Sequence, residues 1–126
     1  MNTYTTYSGL GFKFDIGVVD TDNLKKLITK LPESRYPKEF DANDKDDVVD
    51  AIVECLNELN GVEAFMSVED DNGYTYILFR DMLPWEFTVK ERNLSKDDVI
   101  NFFNNTLDDI VWSFDVYQVY VAKCNE

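Results

Sequence analysis

The sequence predicts an α+β fold, a ferredoxin-like plait of the form βα(α)ββ(β)αβ, with an antiparallel sheet and helices on one face. Three observations lead there. Apolar residues alternate with polar ones over residues 10–18, 62–68 and 112–121, the period of half-buried strands. Between these runs apolar residues recur at helical spacing, in Leu24, Leu27, Ile28, Leu31, then Val48, Val49, Ile52, Val53, Leu56, Leu59, then Val99, Ile100, Phe103, Leu107, Ile110, Val111. Asp70-Asp71-Asn72-Gly73 separates two extended runs, and Asn-Gly in that setting is a strong hairpin signal. With 126 residues, 44% of them apolar, the chain reads as one domain (1–126) able to bury a core.

In chain order, residues 1–9 are polar and tyrosine-bearing. Leu10, Phe12, Phe14, Ile16 and Val18 then form the first strand, whose outer face carries Gly11 and Gly17. Two glycines there suit a bulge or close approach by another segment. Asp20-Thr21-Asp22 starts a helix that Pro32 stops, with Lys25, Lys26 and Lys30 on its outer side. Residues 32–42 read as a loop held by Tyr36 and Phe40. Asn43 or Asp44 caps the next helix, which ends at Asn60-Gly61, a suitable C-cap pair. If Asn72-Gly73 is a two-residue hairpin loop, Val68 faces Ile77 and Met66 faces Phe79, placing those four toward the core. Trp85, Phe87 and Val89 suggest a further short strand. Ser95-x-x-Asp98 has the form of a capping box, with Leu94 positioned to staple onto Val99. A last strand covers residues 112–121.

Charge is where the composition departs from the ordinary. Twelve Lys and Arg stand against 25 Asp and Glu, a net charge of −13. Such a surface repels nucleic acid and anionic lipid and attracts basic protein surfaces. Asp46, Asp50, Glu54 and Glu58 step along the second helix at i+4 intervals, with Asp47 beside them. A rise of about 1.5 Å per residue spaces those carboxylates by about 6 Å. Like charges at i+4 each cost about 0.2–0.5 kcal/mol. The hairpin tip adds Glu69, Asp70 and Asp71, and the last helix adds Asp97, Asp98, Asp108 and Asp109. On a plait both helices lie on one side of the sheet, where their outer faces would join into one anionic surface. DNA carries a phosphate about every 3.4 Å along each strand, so two carboxylate rows would imitate part of a duplex. These twelve residues are the expected partner-binding set, and Tyr4, Tyr7, Tyr36, Tyr76 and Trp85 are candidate aromatic anchors.

With no histidine there is no Ser-His-Asp or Cys-His arrangement, and an enzyme is not expected. Cys55 and Cys124 lack an activating neighbour in sequence and read as two reduced thiols rather than a disulfide framework. Asp41-x-Asn43-x-Lys45 begins like a calcium loop, but lysine stands at its fifth position and Asp46 at the sixth, where glycine belongs. Gly9-x-Gly11 lacks the third glycine and following helix of a phosphate loop. No cofactor and no metal are expected. Without a basic leader, an apolar leader or a run of transmembrane length, a cytoplasmic protein is expected.

In size, acidity and absence of catalytic residues the chain resembles small phage-encoded inhibitors of host defence, anti-CRISPR proteins among them. The likeness is one of type over the whole chain, and no motif transfers a residue. It implies a non-enzymatic inhibitor acting on a basic, nucleic-acid-binding effector or nuclease in the host cytoplasm. The chain is also similar in kind to acidic immunity proteins of the barstar type, with Leu31-Pro32 followed by an acidic helix. That implies an antitoxin for a basic toxin. A small adaptor domain with merely solubilising acidity is the remaining reading.

Overall fold

A computed structural model describes residues 3–32, 40–81 and 84–125. It is α+β: a four-stranded antiparallel sheet in the order β2-β3-β1-β4, with helices packed on it. The strands are β1 (Tyr4–Lys13), β2 (Phe65–Glu69), β3 (Thr75–Arg80) and β4 (Tyr117–Cys124). The helices are α1 (Thr21–Ile28), α2 (Lys45–Asn60), α3 (Val89–Arg92) and α4 (Lys96–Leu107).

The caps explain where the helices begin. The Asp20 carboxylate accepts from Asn23 N–H at the start of α1, and Asp44 does the same for Asp46 at the start of α2. Gly61 closes α2 at φ 65°, a conformation that glycine adopts at little cost. Ser95 and Asp98 form the expected capping box of α4, and Leu94 and Val99 both join the core. That core lies between the helices and one sheet face. Phe103 of α4, fully buried, meets Phe12 of β1 and Phe65 of β2 edge-on, with ring centres 5.8 and 5.0 Å away. Leu24 and Ile28 of α1 and Val48, Ile52 and Leu56 of α2 close around them.

Several expected boundaries are corrected. β1 begins at Tyr4 rather than Leu10 and ends at Lys13, because the Thr- and Tyr-rich start pairs with β4, from Tyr4 opposite Cys124 to Gly11 opposite Tyr117. Asp15 then caps a 3-10 turn, Ile16–Val18. α1 ends at Ile28, before Pro32. The expected Tyr36 lies outside the described residues, while Phe40 packs against the core. Leu59 is exposed rather than part of the apolar stripe. The expected strand at residues 85–89 is instead a 3-10 turn, Pro84–Glu86, followed by α3, since Thr88 and Glu91 form a capping box that starts a helix. α4 stops at Leu107. The chain then crosses beside Val18 and Val19, with Trp112 N–H donating to Val18 C=O, so β4 begins only at Tyr117.

The hairpin register shifts by one residue. Asp70 N–H donates to Tyr74 C=O, leaving Asp71-Asn72-Gly73 as a three-residue loop with Gly73 at φ 84°. Val68 therefore pairs with Tyr76 and Met66 with Leu78. A one-residue slip moves side chains to the opposite face. Phe65 joins Ile77 and Phe79 under the helices, while Met66 and Val68 join Leu78, Tyr76, Tyr7, Val119 and Val121 in a second cluster on the other face.

That second cluster is buried without helices because the sheet curls. β2 and β4 are opposite edges, yet Asp71 at the β2–β3 tip accepts from the Cys124 N–H at the end of β4, at 3.2 Å. Coiling of this kind needs a strand with little side-chain bulk at the bend. β1 supplies Gly9 and Gly11. A Cβ on Gly11 would stand 2.1 Å from Ile77 C=O, and one on Gly9 2.0 Å from Phe79 C=O.

Candidate functional site

The expected acidic residues fall into three settings. The first joins α2 to the hairpin tip. Lys45, in the first turn of α2, reaches Glu69 at 3.7 Å and donates to Gly73 C=O at 3.2 Å. This ties the tip to the first turn of α2, the turn that also carries Asp46 and Asp47. Burial pushes the Asp50 carboxyl above the usual range, and the charges of Asp46, Asp47 and Asp44 push it the same way.

The second setting is a groove of about 660 Å³ between the C-terminal half of α2 and α3. Glu54, Glu58 and Glu63 line it, facing Lys90 and Val89. Lys90 donates to the Asn60 carbonyl that ends α2, and its ammonium lies 5.8 Å from the Phe102 ring. The lower half of the carboxylate row thus shares its groove with a cation.

The third setting is α4, whose acids sit at its two ends. Asp97 and Asp98 occupy the first turn, where the Ser95 bonds hold the Asp98 carboxyl below its usual range. Asp108 and Asp109 follow the last turn, and Asp109 lines a groove with Lys26 of α1 and with Lys30 just beyond that helix. Among the described residues no hydrogen bond, ion pair or shared groove joins these acids to the α2 row.

Among the described residues, backbone N–H groups engage several of these acids. Asp47 accepts from Asp41, Asp70 from Asn72 and Tyr74, Asp71 from Cys124, and Asp98 from Ser95. Of the candidate anchors, Tyr4 and Trp85 are exposed, at 60% and 74%, while Tyr7 and Tyr76 pack on the second cluster.

The cysteines do not form a reactive centre. Cys55 is buried in the core, and burial, then Glu54, pushes its thiol up to about 12. A thiol so rarely ionised is a poor nucleophile. Among the described residues no cluster of three or more Cys, Asp or Glu could hold a metal ion, and no helix is long and apolar enough to cross a membrane. Glu91, buried at 4% exposure, has a structural role. Burial alone would raise its pKa. The N–H groups of Glu63, Thr88 and Ala64 and the Thr88 hydroxyl outweigh burial and hold it below the usual value.

Sequence reasoning missed the state of the two sheet edges. On β2 the Asn57 amide from α2 brackets Phe65, accepting from its N–H at 2.9 Å and donating to its C=O at 3.0 Å. On β4 the outer side is open at its centre, around Tyr120. The alternation of Val119 and Val121 predicted a strand there but not its position at an edge. No family model, no curated protein and no solved structure matches this chain.

Proposed function

We propose that the protein is a non-enzymatic acidic inhibitor that occupies a basic, nucleic-acid-binding surface of a partner, as a DNA mimic or anti-CRISPR protein does. The observation that carries this reading is the like-charge crowding at the start of α2. Burial and then the charges of Asp46, Asp47 and Asp44 oppose the ionisation of Asp50, and Lys45 ties the hairpin tip, with Glu69, Asp70 and Asp71, to the first turn of the same helix. Such an arrangement works against folding stability and is offset when a cationic surface meets it. Long-range attraction from a net charge of −13 would also speed encounter with that surface.

The strand order, with the main helices on one face, supports reading the fold as a ferredoxin-like plait. That fold hosts many functions and does not choose among them. The partner in this reading is a nucleic-acid-binding effector or nuclease in the cytoplasm, the host cytoplasm if the protein is phage-encoded. The protein itself contacts neither nucleic acid nor membrane.

The test is affinity capture on the immobilised chain from lysate at low salt, with and without added duplex DNA, beside a variant carrying Asp46→Asn and Asp50→Asn. Retention of a nucleic-acid-binding protein that DNA displaces, and that the variant retains poorly, is the expected result. Equal retention by the variant, or no capture of a basic protein at low salt, refutes the reading.

A further inference from the structure

We propose that the free edge of β4 pairs with β4 of a second copy of this chain, in antiparallel register about Tyr120. This proposal is independent of the partner reading above.

Asn125 N–H donates to Thr3 C=O, which extends the β1–β4 ladder and sets its phase. In an antiparallel pair, hydrogen-bonded and non-hydrogen-bonded positions alternate. Odd-numbered β4 residues therefore bond β1, and the N–H and C=O of Gln118, Tyr120, Ala122 and Cys124 point away from it. Cys124 N–H, so directed, is taken by Asp71. Gln118, Tyr120 and Ala122 are exposed, and among the described residues no hydrogen bond reaches their backbone groups from outside the strand.

The opposite edge is treated differently. β2 is short, Phe65–Glu69; Asn57 engages both outward groups of Phe65, and Glu69 places a charge at the far end. Short edges, charges and covering side chains protect a sheet against pairing. β4 has eight residues, no proline and no acidic residue. In a chain with 25 Asp and Glu, residues 116–125 carry Lys123 as their sole charge.

That composition selects the occupant. Opposing two β4 strands about Tyr120 places Gln118 opposite Ala122 of the second copy and Tyr120 opposite its own equivalent. Each of these pairs exchanges both N–H···O=C bonds. The same register places Lys123 opposite Tyr117 on one face, a cation beside an exposed ring. Every outward backbone group from 118 to 122 finds its complement, as a two-fold interface requires. The two strands approach through a stretch that carries no acidic residue, while the rest of each chain repels the other.

Sedimentation velocity of the full chain tests this, over concentrations from low micromolar to the solubility limit and at low and high NaCl. A monomer–dimer equilibrium is expected. It tightens as salt rises, since screening weakens the repulsion between two chains of net −13. Tyr120→Pro removes the central outward N–H at an edge position that tolerates proline, and Tyr120→Lys sets like charges across the two-fold. Each weakens association about tenfold or more, roughly the loss of two hydrogen bonds, with the thermal melt of the monomer unchanged. Should Tyr120→Pro fail to fold, Tyr120→Lys decides by the same criterion. A monomer at every concentration and salt overturns the proposal, as does association that the folded variants leave intact. A monomer whose Tyr120 variants lose only a basic partner overturns it as well, and assigns the edge to that partner's strand.

Discussion

Replacing Asp50 with Asn should stabilise the protein and raise its melting temperature. Asp50 stands one turn after Asp46 and Asp47 on α2, with Asp44 just before the helix. Its pKa is raised in the folded state, by burial first and then by those carboxylates. A raised carboxyl pKa means that the fold favours the protonated form. The contribution of Asp50 to stability is thus present below the unfolded value near 3.8 and is lost as pH rises through the raised folded value. At neutral pH ionised Asp50 works against folding. Its pairs with Asp46 and Asp47, at i−4 and i−3, each cost about 0.2–0.5 kcal/mol, so the amide should recover about 0.4–1 kcal/mol. For a chain of this size that corresponds to a rise of roughly 1–5 °C in melting temperature.

Thermal melts at about pH 7 and low ionic strength measure the gain. It should shrink in about 0.5 M NaCl, where charges on the surface are screened, and vanish near pH 3, where the carboxylates are neutral. A loss of stability at pH 7, or a gain indifferent to salt and pH, refutes the claim that like charge governs this turn. The same substitution should weaken capture of a basic partner. Stability and binding moving in opposite directions is the signature of a surface kept for its charge.

Two further substitutions probe the scaffold. Asn57→Ala strips both hydrogen bonds from the outer side of Phe65 and should cost about 1–3 kcal/mol in urea unfolding; an unchanged midpoint would show that water replaces the amide without loss. Glu91→Gln should cost a similar amount at neutral pH. The stability that Glu91 supplies is present above its unfolded value near 4.5 and is lost as pH falls through its lowered folded value. The acid limb of the stability curve should therefore be shallower in the variant, and a parallel limb would refute the role assigned to its N–H bonds.

What the sequence made legible were features set by near neighbours. Asp44, Gly61 and the Ser95–Asp98 box are local chemistry, and each stands where the spacing placed it. Features decided by distant pairing were not legible. Residues 85–89 alternate like a strand, but Glu91 completes a capping box and gains N–H donors from Glu63, 28 residues away. Asn72-Gly73 signalled a hairpin correctly, yet loop length and hence register turned on the Asp70 side chain, which accepts from Asn72 and Tyr74 and favours three residues over two. Tyr4 to Ser8 read only as a polar, tyrosine-bearing segment because the strand it pairs with lies at the other end of the chain. The acidic faces were legible as charge. Their adjacency was not, since it depends on Lys45 reaching the hairpin tip and on Lys26 of α1 and the following Lys30 sharing a groove with Asp109.

Those placements divide the acidic residues by what their charge does for the fold. Asp47, Asp70, Asp71 and Asp98 each accept from backbone N–H groups, so these carboxylates have a structural use as hydrogen-bond acceptors. Asp109 shares a groove with lysines, and Glu54 and Glu58 share theirs with Lys90. Asp46 and Asp50 have neither explanation: they stand on an exposed turn among other carboxylates, and the fold bears their repulsion. A net charge of −13 therefore overstates the surface available to a partner, and the row read from the sequence shortens to its N-terminal turn with the hairpin tip beside it. Solubility alone would be served by acids placed anywhere on the surface. Crowding them on one helical turn, next to a tip anchored by Lys45 on one side and by Cys124 on the other, concentrates the field at one point.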